Sequence, residues 1–224
     1  MSYFQVIAAI VKKDILMEVR TKQVINAALV FAVLFVVVFS FTMEIGSNME
    51  QKLSGGIFWV SVAFAGILSF NKTIGSETDN GSFEALMLAP VDKSAVFFGK
   101  VISNMLFLLL VEVILIPLFL VFYNVFIISH PLMAVVIILS TYAYSLIGTL
   151  FSIISVRTSS KEIMMPVLFL PFMVPVIIAA VLATNVFILG GQIQFSYNWI
   201  KLTAVFDVIF TAIIYGIFSL IIED

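Results

Sequence analysis

Six long apolar stretches, at about 24–43, 55–71, 100–123, 132–156, 163–189 and 199–222, constrain this chain more than any other feature. A bilayer core of about 30 Å takes about 20 helical residues to cross. The second stretch is the shortest and reaches that length by extending into its polar flank. The runs are continuous, as in FAVLFVVVF at 31–39, whereas barrel strands alternate apolar and polar residues. A helix also satisfies its own backbone in lipid. Hydrophobic residues make up 62% of the chain and charged residues 11%, against about half and a quarter in a soluble domain. The expected fold is all-α: one polytopic membrane domain, 1–224, with six transmembrane helices.

The positive charges give an orientation. Lys12, Lys13, Arg20, Lys22, Lys72, Lys93, Lys100, Arg157 and Lys161 fall on one set of alternating flanks. Only Lys52 and Lys201 fall on the other. The positive-inside rule puts the first set, and with it both termini, in the cytoplasm. The net charge of −2 argues against a nucleic-acid partner, which needs a basic stripe. With no cysteine, disulfides, thiolate metal sites and thiol catalysis are excluded. The N-terminus is not expected to be a cleavable signal, because its basic residues precede a run of full spanning length with no small-residue cleavage site.

Residues 3–20 read differently from the spans. Tyr3, Phe4, Ile7, Ile10, Val11, Ile15 and Val19 fall mostly on one helical side, with Lys12, Lys13, Asp14, Glu18 and Arg20 interspersed. This is the pattern of an amphipathic helix in the cytoplasmic interface, in contact with lipid. In the fifth span, Pro166, Pro171 and Pro175 each remove a backbone donor, which predicts a bent or broken helix.

The connection at 72–99 is too structured for a tether. Asn80-Gly81 marks a turn. Ser82 is placed to cap a helix, and Glu84 suits its positive end. Phe83, Leu86 and Met87 then form a short apolar face, and Pro90 stops the helix. Asp92 or Ser94 starts the next one. An exposed face of this kind needs a covering surface, either a partner or the chain's own spans.

The string at 77–90, ETDNGSFEALMLAP, followed by Gly99-Lys100-Val101, resembles the signature of the exporter-type, ABC-2-like permeases of ABC transporters. Within that superfamily it is most similar to the CcmB family, the haem-exporter permease subunits of cytochrome c maturation. The chain length, the six spans and the proline-rich fifth span fit that likeness. The resemblance implies that Glu77, Gly81, Ser82, Phe83, Glu84, Leu86, Met87 and Pro90 form a cytoplasmic coupling helix that docks a separate ATPase subunit, CcmA-like, which binds the ATP. It further implies an inner-membrane homodimer joined by a CcmC-like haem-handling protein and a small CcmD-like subunit. The cargo is haem, or the work done is release of a haem-loaded chaperone.

The chain itself has no G-x-x-x-x-G-K-[ST] motif, so it is not expected to be an enzyme. No catalytic residue, resident cofactor or metal cluster is expected; haem enters only as a handled ligand. The one histidine, His130, reads as a loop residue beside Pro131 and, as the other reading, as a haem ligand. Glu112 and Asp207 are charges at membrane depth, which are costly and mark a polar path, a subunit contact or a carboxyl bonded to a neighbouring helix. With its span starting at Trp199, Asp207 falls near the periplasmic end in a wet vestibule. Ser61, Ala65, Ser69 and Gly66, and Gly148 with Ser152, allow close helix approach, inside the chain or at a homodimer seam. Alternatives of other classes are an ABC-2-type exporter for another lipid or drug, and a stand-alone secondary transporter, which is expected to show more intramembrane charge.

Overall fold

The computed structural model describes residues 2–42, 48–128, 130–156, 158 and 161–223. Met43, at the predicted end of the first span, and Arg157, counted among the basic flank residues, lie outside the described residues. Eight helices follow in order: α1 Tyr3–Thr21, α2 Gln23–Thr42, α3 Asn48–Asp79, α4 Ser82–Leu88, α5 Lys93–Tyr123, α6 Leu132–Val156, α7 Lys161–Ile188 and α8 Ile193–Glu223. Six of them, all but α1 and α4, are long and apolar enough to cross a membrane. The chain is a multi-pass membrane protein. Its odd and even crossings alternate in direction, so α1 and α4 share one face, and the end of α8 returns to that face.

The bundle is built around α3 and α6, whose membrane windows are the most buried, while α2 and α8 are the least. Small residues make the central seam. Ser61, Ala65 and Ser69 of α3 are buried inside the chain. Gly148 of α6 lies under Phe70, whose ring would be 2.1 Å from a Cβ at that position. Ser152 donates a hydrogen bond to the Phe70 carbonyl at 2.9 Å. Of the two readings of these small residues, packing within the chain is the one observed. Trp59 is fully buried, stacks on Tyr144 and donates its indole N–H to Thr184 Oγ1 at 2.8 Å.

Three boundaries differ from expectation. Helix α3 starts before residue 55 and runs through 72 to Asp79, so Glu77 lies in a helix and not in a loop. Helix α8 starts at Ile193, not at Trp199. The fifth span is neither broken nor interrupted: Pro166, Pro171 and Pro175 sit inside one continuous helix, α7. In lipid a free backbone group costs several kcal/mol, so a helix with a few missing donors, packed on its neighbours, is better than an opened chain. Met165, Phe169, Met173 and Val176 of α7 are buried among the prolines and hold that packing.

Filling the close approach of α3 to Gly148 of α6 tests the core. Gly148→Ala is expected to cost about 1–3 kcal/mol by overpacking, read as a lower thermal midpoint of the purified protein in detergent. Adding Phe70→Ala should recover part of the loss, because it removes the ring that the new methyl meets.

Candidate functional site

The face that carries α1 and α4 holds the most unusual chemistry in the chain. Lys100 lies in the apolar run at the start of α5 and is 1% exposed. Its Nζ donates to Asp14 Oδ1 of α1 at 2.9 Å and to Glu77 Oε1 of α3 at 2.6 Å. Lys13 Nζ also donates to Glu77 Oε1 and lies 3.2 Å from Asp14 Oδ1. Two ammonium groups and two carboxylates from three helices thus form a neutral cluster. An isolated charge at such a depth is very costly, and pairing is what makes it tolerable. Burial pulls the Lys13 ammonium toward deprotonation, but the Asp14 and Glu77 carboxylates outweigh it and hold its pKa above the ordinary lysine value of 10.5. The folded value is raised, so the Lys13 contribution is complete below the unfolded value and fades only as pH rises through the folded one. Across the neutral range its contribution to the clamp does not change with pH.

Geometry around the cluster explains why α1 docks. Val6, Ile10, Asp14 and Glu18 recur every four residues and are the buried stripe of α1. Val6 and Ile10 pack on Ala95 and Val96 of α5. Gly99 leaves room for this: a Cβ there would be 2.9 Å from Ile10. Farther along, Glu18 Oε1 accepts from the backbone N–H of Ile25, at the start of α2, at 2.8 Å. Lys72 of α3 donates to the Gln23 carbonyl at 3.1 Å. Asp14 and Glu18 face inward, while Phe4, Ile15 and Val19 of the expected apolar side are exposed and free to meet lipid. The helix leans on α5 and not on lipid alone.

Helix α4 is braced on this cluster. Gly81 adopts φ +67°, a left-handed conformation that favours glycine. Ser82 is the first helical residue and not the cap; its hydroxyl donates to the Glu77 carbonyl at 3.0 Å, tying α4 to the last turn of α3. Asp92, not Ser94, caps α5, accepting from the Ser94 N–H at 2.8 Å. The expected exposed apolar face is not exposed. Phe83 is buried in the main core, Met87 packs on that core, and Leu86 packs against α1 and α5. A seven-residue helix cannot hold its shape without such packing. What α4 presents outward is Ser82, Glu84, Ala85 and Leu88, the last 86% exposed, with Pro90 beyond.

The remaining candidates lie apart from this elbow. Glu112 of α5 is buried and accepts from Thr141 Oγ1 of α6 at 2.7 Å. It faces a neighbouring helix of its own chain. Asp207 is buried on α8, with no hydrogen-bond partner for either carboxylate oxygen among the described residues. Helix α8 begins fourteen residues before Asp207, at Ile193. Thr141 and Tyr142 are adjacent on α6, so the two acids flank one turn of that helix. His130 Nδ1 accepts from the Leu132 N–H at 3.1 Å and its ring stacks on Phe187. That hydrogen bond satisfies a free backbone donor at the start of α6, so His130 caps the helix. Among the described residues, no group of three His, Cys, Asp or Glu side chains could hold a metal ion. Lys13, Asp14 and Lys100 are the site residues missing from the sequence-based set; a single lysine inside an apolar run was their signal.

The chain is a six-crossing membrane protein with a docked N-terminal helix and a braced elbow between the second and third spans. The chain belongs to the CcmB family, whose sequence profile, described as "CcmB protein", matches residues 5–218. It is similar to the "Heme exporter protein B" of Pseudomonas aeruginosa, 28% identical over 67% of each chain. It is also similar to the protein of that name from Rhodobacter capsulatus, 25% identical over 76% of this chain and 78% of the relative. The Haemophilus influenzae protein of the same name is 23% identical over 76% of this chain and 77% of its own.

Removing the shared cation tests the cluster. Lys100→Met leaves the partly exposed Lys13 alone to pair the buried Asp14 and Glu77 and is expected to cost roughly 3 kcal/mol. In a double-mutant cycle with Glu77→Gln, the two losses should fall short of additivity by about 1 kcal/mol or more, read from thermal midpoints in detergent.

Proposed function

We propose that this chain is the membrane-spanning permease subunit of the ABC transporter of cytochrome c maturation, and that α4 passes the work of a separate ATPase subunit to its spans. Membership of the CcmB family and the relatives named heme exporter protein B support the first part. The observation that carries the second is the bracing of α4 on the buried ionic cluster.

The coupling works through rigidity. A partner that pushes on Leu88 and Glu84 cannot move α4 alone. Phe83, Leu86 and Met87 are packed into the chain, and Ser82 holds the end of α3. Glu77, one residue pair away, is tied through Lys100 to α5 and α1. The end of α1 in turn holds the start of α2 through Glu18. Displacement of the elbow therefore reaches α2, α3 and α5 together. Within a packed protein such a block shifts between discrete arrangements more readily than it deforms.

The ATP sits on the partner, a CcmA-like ATPase, and the permease core contains two copies of each subunit. CcmC-like and CcmD-like proteins complete the assembly. The membrane is the inner membrane, with the basic face, α1, α4 and both termini in the cytoplasm, as the charge asymmetry favours. Haem is handled as cargo, or ATP drives release of the haem-loaded chaperone.

Because Phe83 and Leu86 are structural, docking is tested at the outward residues. Leu88→Asp combined with Glu84→Lys is expected to strip most of the ATPase from purified complexes while the chain still inserts at wild-type level; unchanged co-purification would refute docking at α4. Loss of the chain should also abolish covalent haem attachment to cytochromes c, and normal attachment in a deletion strain would refute the cargo assignment.

A further inference from the structure

A groove of about 530 Å³ opens on the outer side of α1, between that helix, the start of α2 and α5. Its apolar walls are Ile15 and Val19 of α1, Leu29 of α2, and Leu106, Leu110 and Ile114 of α5. Ile102 carries the α5 wall one turn further, beside Ile15 and Lys12. Ile102, Leu106, Leu110 and Ile114 recur every four residues and so make one continuous row. All four are exposed.

The polar groups of this groove are confined to one end. Glu18, Lys22 and Asn26 sit where α1 turns into α2. Glu18 is buried, and its Oε1 is taken up by the backbone N–H of Ile25. Lys22 is exposed, as is Lys12, which shares the Ile15 side of α1. Among the described residues neither lysine makes an ion pair. The exposed charge at the mouth is therefore positive, and everything farther along α2 and α5 is hydrocarbon.

Length and charge select the occupant. The row runs about 12 Å from Leu106 to Ile114, and about 18 Å from Ile102, at 1.5 Å per residue. One leaflet of a hydrocarbon core of about 30 Å is about 15 Å deep. A docked transmembrane helix needs a seam of the full thickness, but farther along α2 and α5 are joined to each other. There Tyr123 OH donates to the Val36 carbonyl at 2.9 Å. A two-fold contact with a second copy brings the same patch against itself and would set a cationic mouth against a cationic mouth.

We infer that the α1–α2–α5 groove is a binding site for an anionic phospholipid of the leaflet on the α1 side. One acyl chain lies along Leu106, Leu110 and Ile114, and the headgroup phosphate meets Lys22. The tail covers the exposed apolar row and the headgroup supplies the missing anion. The lipid bears on the junction of α1 and α2, and the site requires neither the ATPase nor the cargo.

The test reconstitutes the full chain into phosphatidylcholine vesicles holding a small fraction of phosphatidylglycerol with a diazirine on one acyl chain. Mass spectrometry locates the adducts after illumination. They should concentrate on Leu29, Leu106 and Leu110 and be displaced by unlabelled phosphatidylglycerol. At sub-saturating probe, Lys22→Ala should lower their yield about fivefold. Equal labelling of these residues by a phosphatidylcholine probe with the same tail overturns the inference. So does labelling spread evenly over the exposed sides of α2, α5 and α8, or an unchanged yield in Lys22→Ala. In native membranes, a photo-crosslinking amino acid at Leu110 should give a lipid adduct, and an adduct to another protein or to a second copy overturns the site. If Lys22→Ala does not accumulate, the headgroup comparison on the wild-type chain decides.

Discussion

The ammonium of Lys100 has no path to water, and much of the architecture at this face follows from that one fact. A lysine at this position is tolerable only where carboxylates reach it, and α5 supplies none within reach. One comes from α1 and the other from α3. To deliver Asp14, α1 must lie along the first turns of α5, which Gly99 permits by its lack of a side chain. To deliver Glu77, α3 must stay helical well past its apolar stretch. Replacing a buried ion pair by apolar residues is often neutral, whereas removing one partner is costly. What the cluster adds over simple apolar packing is an all-or-none contact among three helices.

That contact gives the short elbow helix a foundation. Seven residues in water do not form a stable helix, and α4 persists because Phe83 is buried and Leu86 and Met87 are half-buried against the rest of the chain. The same packing that forms the helix makes it stiff. The outward surface that remains is small and centred on Leu88 and Glu84. The two acids of the later spans are both buried and differ in their partners. Glu112 accepts from Thr141, whereas neither Asp207 oxygen has a hydrogen-bond partner among the described residues.

The crossings were legible because lipid enforces them: a run such as 31–39 has no soluble alternative. The short helix after Asn80-Gly81 was legible through turn chemistry, and its family likeness through the same dozen residues. The direction that Phe83 faces was not, because a helix of two turns shows an apolar stripe whether the stripe meets a partner or its own chain. For α1, apolar periodicity does not show the inward stripe, which is half acidic and whose partner lysine lies eighty-six residues away in sequence. The prolines of α7 predict a bent or broken helix, and the break is absent because an opened helix finds hydrogen bonds in solvent but not in a bilayer.

The central claim is that α1, the end of α3, α4 and the start of α5 move as one block tied by the Lys100 cluster. Because the chain has no cysteine, it can be spin-labelled without a background. The most direct measurement is the distance between labels at Leu16 on α1 and Leu88 on α4, in the reconstituted permease–ATPase complex with and without ATP. A reference label at Phe195, at the opposite end of α8, reports motion of the block against the bundle. The expected result is a Leu16–Leu88 distance that stays fixed while both distances to Phe195 shift with nucleotide. A Leu16–Leu88 distance that changes with nucleotide would contradict it.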